Sequence, residues 1–409
     1  MTSKKRSGSD SGAHNPYFSK LNLLLKEKGD GHPVIVLDLD ILDKNLRELK
    51  KNIADPKRFR VVVKSLPSIE LIRYIFEQTQ THKAMIFHRP FLNLFVEAFP
   101  EADVLLGKPF PVQAARVFYR EMKAASAFDP TTNLQWLIDT HQRLLQYQRL
   151  AHDLGQHLLL NIEIDVGLHR GGVVEPRLLA PLLDTIAGDR EHLSMAGFMG
   201  YDPHVASSGK VFIPISKAHS KVLKRYAGFI NFLKQGYPEL YSENLTFNGA
   251  GSPTYSLYSQ DAILNDVSVG SALVKPNNFD IGSLAGHEPA MFIATPILKR
   301  MRGVKIPFLE FLAPIMPKLK RSWGTTIFIY GGYWKAVPLS PAGFVINSLY
   351  GRSTNQEMLN GPDHAAVDVD DYIFLRPTQS ESVMLQFGDL VITRNGEITG
   401  RWPVFAQND

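Results

Sequence analysis

Lys64 follows directly on the β-branched run Val61-Val62-Val63, and Ser65-Leu66-Pro67-Ser68 then turns the chain toward a helix. A lysine that ends a buried strand is poorly placed for a solvated surface role. Partial desolvation lowers the pKa of such an amine and makes it a better nucleophile toward an aldehyde. The competing reading is a side chain that only snorkels to the rim of the core. A second group of reactive side chains lies in Glu163-Ile164-Asp165-Val166-Gly167-Leu168-His169-Arg170-Gly171-Gly172. Its glycines let backbone approach a ligand closely. Arg170 offers a planar fork to an anion or a phenolate oxygen, and His169 can titrate or stack on an aromatic ring. An Asp165–Arg170 ion pair that only shapes the loop is the alternative. In Met199-Gly200-Tyr201-Asp202-Pro203-His204, Tyr201 and His204 can exchange a proton with a bound molecule, or else be exposed polar groups of a turn. Phe247-Asn248-Gly249-Ala250-Gly251-Ser252-Pro253 is a small-residue loop whose N–H groups and Ser252 hydroxyl would cradle a phosphate. Gly270-Ser271 adds to it from the next strand, and a plain turn is the alternative.

Each of these stretches ends a run that reads as a strand. The runs are Phe59–Val63, Lys83–Phe87, Ala102–Leu106, Leu134–Ile138, Leu158–Ile164, Leu193–Met199, Leu245–Asn248 and Val267–Val274. Helical patterns at Ser68–Gln78, Val112–Lys123, His141–Asp153 and Lys217–Lys234 lie between them. Apolar strands alternating with helices imply parallel βαβ units, and eight of them imply a closed (β/α)₈ TIM-like barrel of the α/β class. No glycine-rich dinucleotide fingerprint follows the early strands. In such a barrel the functional side chains project from the C-terminal strand ends, and phosphate sites often follow strands seven and eight. An amine, a clamp for an aromatic ring, proton-transfer groups and a phosphate cradle would therefore share one face. Pyridoxal 5′-phosphate (PLP) needs that set.

Past about residue 286 the texture becomes strand-rich. Met291–Leu298, Thr325–Ile329, Asp371–Leu375, Val383–Leu385, Leu390–Arg394 and Glu397–Arg401 read as strands, with Asn395-Gly396 a hairpin turn. The domain plan is a disordered tail (1–15), an N-terminal segment (16–40), the PLP-binding barrel (41–285) and a smaller, mainly β C-terminal domain (286–409). The strand Val34–Asp40 is a candidate for that last sheet, and Ile41–Ile53 reads as an amphipathic helix.

The chain has 409 residues, 44% of them hydrophobic, enough for a large core and a second domain. No run approaches the roughly 20 apolar residues of a membrane span. The polar start MTSKKRSGSDSGAHN is no signal peptide. Cysteine is absent, which excludes disulfides, thiol catalysis and thiolate metal sites and fits a cytoplasmic enzyme. The net charge of +5 is modest. Part of it lies in Lys299, Arg300, Arg302, Lys305, Lys318, Lys320 and Arg321, against the single acid Glu310. That segment reads as a solvated face or a subunit contact rather than a nucleic-acid or membrane patch.

In sequence order, VIVLDLDILDKN (34–45), RVVVKSLPS (60–68), EIDVGLHRGGV (163–173), GFMGYDPHV (197–205), FNGAGSPTYS (247–256) and DVSVGSALVKPNNFD (266–280) resemble the fold-type III PLP enzymes. These include alanine racemase and, closer to these motifs, D-threonine aldolase and D-serine dehydratase. The resemblance implies a PLP barrel with a β domain, in a head-to-tail homodimer acting on a small amino acid. It implies Lys64 as the Schiff-base lysine and His169 and Arg170 in the cofactor-contact loop. Tyr201 would face the ring, and Gly249 to Ser252, with Asn248 and Ser271, would form the phosphate site. The aldolases and dehydratases also carry a C-terminal metal pair, a His followed two residues later by Cys or Asp. Here Gly388-Asp389 is followed by LVITRNGEITGRWPVF, which has neither His nor Cys, so the usual divalent metal is expected to be missing. A lyase acting on a β-hydroxy D-amino acid is the first expectation. A metal-free racemase or epimerase is the second, with Tyr333, Tyr350 or His364 as the other base. A non-catalytic PLP-binding protein is the third.

Overall fold

In the computed structural model the described residues are 12–406 apart from 54, 56–57, 123–125, 261, 306, 309–310 and 312–320. They form two compact units. β1 (Val34–Asp38) belongs to the first unit. The second is the barrel: β2 (Phe59–Val62), β3 (Lys83–Ile86), β4 (Asp103–Leu106), β5 (Leu134–Ile138), β6 (Leu158–Glu163), β7 (Leu193–Gly200), β8 (Thr246–Gly249) and β9 (Asp266–Val269). These eight close in that order with parallel neighbours, and β9 returns to β2 through Phe59↔Val267. The remaining strands are β10 (Met291–Arg302), β11 (Thr325–Tyr330), β12 (Ala336–Ser340), β13 (Val345–Ile346), β14 (Gln356–Gly361), β15 (Tyr372–Pro377), β16 (Asp389–Arg394) and β17 (Glu397–Pro403).

The connecting helices form where local signals demand them. Ser68 caps the helix Ile69–Thr79 by accepting from the Leu71 N–H, and Gln80 ends it in the left-handed region. Leu71, Ile72, Ile75 and Phe76 make one buried stripe at helical spacing. Each such side chain contributes about 1.5–3 kcal/mol by burial. Thr140 and Gly155 bracket the helix His141–Leu154 in the same way.

The barrel interior is polar at its centre. Arg60, fully buried, forks onto both oxygens of Asp266 at 2.8 and 2.9 Å and also reaches Asp103. Lys83 adds a second cation 3.0 Å from Asp266. Asn248 donates to Asp266 and Ser268, and Gln135 links Asp103, Thr246 and Asn161. Two cations face two carboxylates, so the buried network is neutral.

In the β unit, β1 pairs antiparallel with β10 and parallel with β16. The sheet order is β13-β14-β11-β10-β1-β16-β17, with β15 between β10 and β12. A helix, Pro16–Lys28, packs Phe18, Leu21, Leu24 and Leu25 onto Val34, Val36, Phe292, Phe374 and Val391. Asn395 and Gly396 both take positive φ, as the hairpin between β16 and β17 requires.

Several sequence expectations change. Residues 12–15 are not tail: Asn15 caps the first helix, His14 Nδ1 lies 2.9 Å from Ser340 Oγ, and the Gly12 carbonyl accepts from Ala366 N–H. Residues 1–11 lie outside the described set, as do Lys318, Lys320 and the side chain of Arg321. Val383–Leu385 is not a strand. The Ser380 carbonyl accepts from the Val383 and Met384 N–H groups and winds Glu381–Met384 into one helical turn. Lys299, Arg300 and Arg302 lie on the exposed end of β10, where Lys299 and Arg300 hydrogen-bond Gln356 and the Ala365 carbonyl.

Candidate active site

All barrel strands run the same way, so their C-terminal ends share one rim. Lys64 sits there in a single 3₁₀ turn, Val63–Ser65, immediately after β2. It is half-buried, with Nζ 4.8 Å from the centre of the Phe87 ring at the end of β3. Ser65 Oγ accepts from Ser271 Oγ at 3.1 Å, which ties this turn to the end of β9.

The loop after β8 comes close beside it. Ser252 Oγ accepts from the Gly270 and Ala272 N–H groups at 3.2 and 3.0 Å. Ala250 takes φ +61°, which turns the chain so that Gly251 and Ser252 lie buried. Among the described residues, no protein acceptor meets the N–H groups of Gly251 and Ser252. Buried donors without acceptors are costly unless a ligand takes them, and a phosphate ester suits them. The loop is braced by buried Asp202, which accepts from Thr254 Oγ1 at 2.7 Å and from the Tyr258 hydroxyl at 2.6 Å.

Tyr201 follows directly on β7 and lies against this loop. A Cβ at Gly251 would sit 2.6 Å from Tyr201 Cε2, so only glycine leaves the ring its place. Gly251→Ala is therefore expected to weaken cofactor binding roughly tenfold or more, the about 1–3 kcal/mol of an overpacked contact. A cofactor titration followed by absorbance measures it, and an unchanged affinity would remove the loop from the site.

The loop after β6 depends on its glycines: Gly167, Gly171 and Gly172 all take positive φ, as does His169 at +57°. Asp165 organises it. One oxygen accepts from the Gly167 and His169 N–H groups at 2.8 and 3.1 Å, and the other lies 2.6 Å from His169 Nδ1. The Asp165–Arg170 pair does not form, because both carboxylate oxygens already serve the loop. Arg170 instead lies over the Tyr201 ring, 4.9 Å from its centre.

The structure thus brings together Lys64, Arg170, Tyr201, Gly251, Ser252 and Ser271. It does not bring the other candidates to them. Asn248 is 1% exposed and its amide is committed to Asp266 and Ser268 inside the barrel. Gly249 packs against Leu264 and the Gly200 carbonyl. His169 and His204 line a separate groove of about 990 Å³ with Val174, Pro176, Lys221 and Arg225, a groove whose lining includes neither Lys64 nor Tyr201. Burial pushes the His204 imidazole pKa down, against the pull of Asp202 and Asp165.

Glu163 is a further candidate at this rim that residue types alone did not single out. It ends β6, and the register sets it beside Asp139, which follows β5. Burial pushes its carboxyl pKa up, Asp139 adds to the rise and Arg170 opposes it. A partly buried acid of raised pKa at a barrel rim is suited to proton transfer. The available signal was alternation: Asn161 points into the barrel, and Glu163 follows it at strand period.

A family model described as "Alanine racemase, N-terminal domain" matches residues 37–278. The chain belongs to that family. No curated protein matches it. Among solved structures, D-threonine aldolase from Filomicrobium marinum is similar over 91% of this chain and 96% of that one, with TM-score 0.68 and 17% identity. D-threo-3-hydroxyaspartate dehydratase from Delftia sp. HT23 is similar over 91% and 97%, with TM-score 0.67 and 15% identity. Alanine racemase from Bacillus anthracis is similar over 91% and 97%, with TM-score 0.67 and 15% identity. At these identities the likeness is one of fold. It is the fold-type III architecture, a closed parallel barrel with a mainly β domain, and PLP is the cofactor of the family.

The residues present fit that cofactor. Lys64 offers the amine, the Gly251 and Ser252 N–H groups the phosphate donors, and Tyr201 with Arg170 a ring-sized surface and a cation. The C-terminal metal pair of the aldolases and dehydratases does not fit. Asp389, after Gly388, is engaged by Arg401 at 3.1 and 3.2 Å, and no His or Cys follows through Phe405.

Proposed function

We propose that the chain is a PLP-dependent lyase of a β-hydroxy D-amino acid, an aldolase or a dehydratase. The observation that carries the reading is Glu163, a partly buried acid beside Asp139 on the same strand-end rim as Lys64 and Tyr201. Bound PLP supplies an electron sink that weakens the bonds at the substrate α-carbon. Lys64 would hold the cofactor through its amine and would serve to move a proton at the substrate α-carbon. Gly251 and Ser252 hold the phosphate, and Tyr201 supports the ring. For aldol cleavage Glu163, when ionised, would accept the β-hydroxyl proton on an oxygen whose basicity burial and Asp139 have raised; for dehydration the protonated form would instead donate to the departing hydroxyl, which leaves as water. This assigns to a carboxylate a task that needs no metal.

Glu163→Gln is expected to lower kcat about 10²–10⁴-fold with KM little changed. The sign of its pH effect follows from the raised pKa. In aldol cleavage the base is active only when ionised, so in the parent protein kcat/KM rises through a pKa above the ordinary glutamate value; a dehydratase, which uses the protonated acid, would show a fall there instead. Glu163→Gln loses that rise. Arg170→Gln shifts it to higher pH, because the opposing cation is gone. A pH–rate profile with no such limb would dismiss Glu163 as the base.

A second reading, a racemase, draws support from the missing C-terminal ligands, since it needs no metal at the β-hydroxyl. Tyr333, Tyr350 and His364, its candidate second bases, lie in the β unit, and Tyr333 and Tyr350 are exposed. Incubation with D-threonine and D-serine, with and without chelator, separates the two. Aldehyde or ammonia formed regardless of chelator supports the lyase. Loss of chirality without either product supports the racemase. No turnover of a broad amino-acid panel removes both.

A further inference from the structure

At the opposite end of the barrel, three side chains converge that the active site does not use. His152 lies in the last turn of the helix His141–Leu154, and Asp189 and His192 lie in the loop entering β7. His152 Nε2 is 2.7 Å from Asp189 Oδ2, and His192 Nδ1 is 2.9 Å from Asp189 Oδ1. All three ligand atoms fall within 4.8 Å of one another. The two imidazoles stack, with centres 3.9 Å apart and planes 23° apart.

We infer that His152, Asp189 and His192 form a binding site for a borderline divalent metal ion, with zinc as the reference ligand. Zinc takes imidazole nitrogen and carboxylate oxygen at about 2.0–2.2 Å, which sets tetrahedral ligand atoms about 3.3 Å apart. The present spacings lie within a few tenths of an ångström to about 1.5 Å of that. Two imidazoles and one carboxylate suit zinc, nickel, cobalt or copper better than magnesium or calcium. His152 is half exposed, which leaves the fourth position to water, as a three-ligand site requires.

The surroundings hold the ligands in place. Gln148 Nε2 donates to Asp189 Oδ2 at 2.8 Å and orients the carboxylate. The Asp189 carbonyl accepts from the N–H groups of His192 and Leu193, and Leu158 N–H donates to the His192 carbonyl at 2.8 Å. Gln148, His152 and His192 together occupy both oxygens of the Asp189 carboxylate and fix its plane. Proton balance is simple. Each neutral imidazole shifts the proton it donates to Asp189 onto its other ring nitrogen through solvent, and an imidazolium instead releases one. The strand β6 separates this end from the active-site rim by about 20 Å, six residues at roughly 3.3 Å. The site therefore clamps a helix to a loop rather than serving the reaction.

The test uses the PLP-loaded full chain, stripped with chelator and dialysed. Zinc ions are titrated against a chromophoric chelator, and thermal unfolding is followed in parallel. One equivalent per chain is expected, and zinc at about 100 times its Kd should raise Tm by about 3 °C. His152→Ala and His192→Ala should each weaken binding at least 100-fold and abolish the shift, and Gln148→Leu should weaken it about 10–100-fold. His32→Ala, remote in sequence and exposed, should bind like the parent. If His192→Ala fails to fold, the half-exposed His152→Ala decides alone. The inference is overturned if the parent binds no stoichiometric zinc, or if binding survives in the His152→Ala protein, which would place the ion elsewhere. Zinc affinity is measured independently of turnover, so this result stands apart from the outcome of the lyase assay.

Discussion

Lys64→Ala is expected to purify colourless and to lose at least about 10⁴-fold of kcat/KM, more than 5 kcal/mol of transition-state stabilisation. The argument rests on position. Lys64 is the amine that ends β2, in a turn held by the Ser65–Ser271 hydrogen bond, within one loop of the buried Gly251 and Ser252 donors. An aldehyde cofactor whose phosphate occupies those donors is fixed at two points, and loss of the covalent one leaves only the ester. Lys64→Arg should fare no better, because a guanidinium stays protonated and cannot condense with an aldehyde. Borohydride reduction of the yellow parent protein, followed by peptide mapping, provides the direct measurement. Label on residue 64 is the expected result. Label on Lys83 or Lys275, or no chromophore after incubation with PLP, would overturn the assignment.

Arg60→Met is expected to cost about 3–5 kcal/mol of stability, read as a fall in the urea midpoint at constant slope. Arg60 is fully buried and makes two bonds to Asp266, one to the Asp103 side chain and two to the carbonyls of Ala84 and Asp103. Its removal strips the guanidinium from two carboxylates and two carbonyls and leaves Lys83 as the cation facing both carboxylates, beside the neutral donors Asn248 and Gln135. Arg60→Met with Asp266→Asn should recover much of the loss, because the stranded charge goes with the cation. The pH dependence has a definite sign. Desolvation pushes the Asp266 carboxyl up, but Arg60 and Lys83 outweigh it and hold the folded-state pKa below the usual value. Its contribution is thus fully present above the ordinary carboxylate pKa and is lost as pH falls through the depressed one. A loss below about 1 kcal/mol for the single variant would show that the network does not support the barrel.

Much of this molecule was legible from residue order. The strand runs from Phe59 to Val269 form because β-branched and apolar stretches of strand length alternate with helical stripes, a local property of the chain. The motifs around Lys64, Arg170, Tyr201 and Ser252 were legible for a related reason: each lies in the polar or small-residue stretch that follows such a run. The hairpin at Asn395-Gly396 is likewise a local matter, since both residues tolerate positive φ.

What residue order left open concerns distance between strands and the direction of side chains. His169 and His204 have the right chemistry and lie beside the right loops, yet Asp165 and the backbone turn them into an outer groove. Asn248 adjoins the phosphate loop in sequence, but strand alternation points its amide inward, where Asp266 claims it. Glu163 owes its raised pKa first to burial and then to Asp139, twenty-four residues earlier in sequence and one strand over in space. The His152, Asp189 and His192 cluster is invisible until a helix end and a loop meet. Local propensity and period belong to the sequence because they act over a few residues. Which side chains share a site is decided by barrel closure and register, which couple residues hundreds of positions apart, and only the tertiary structure holds that information.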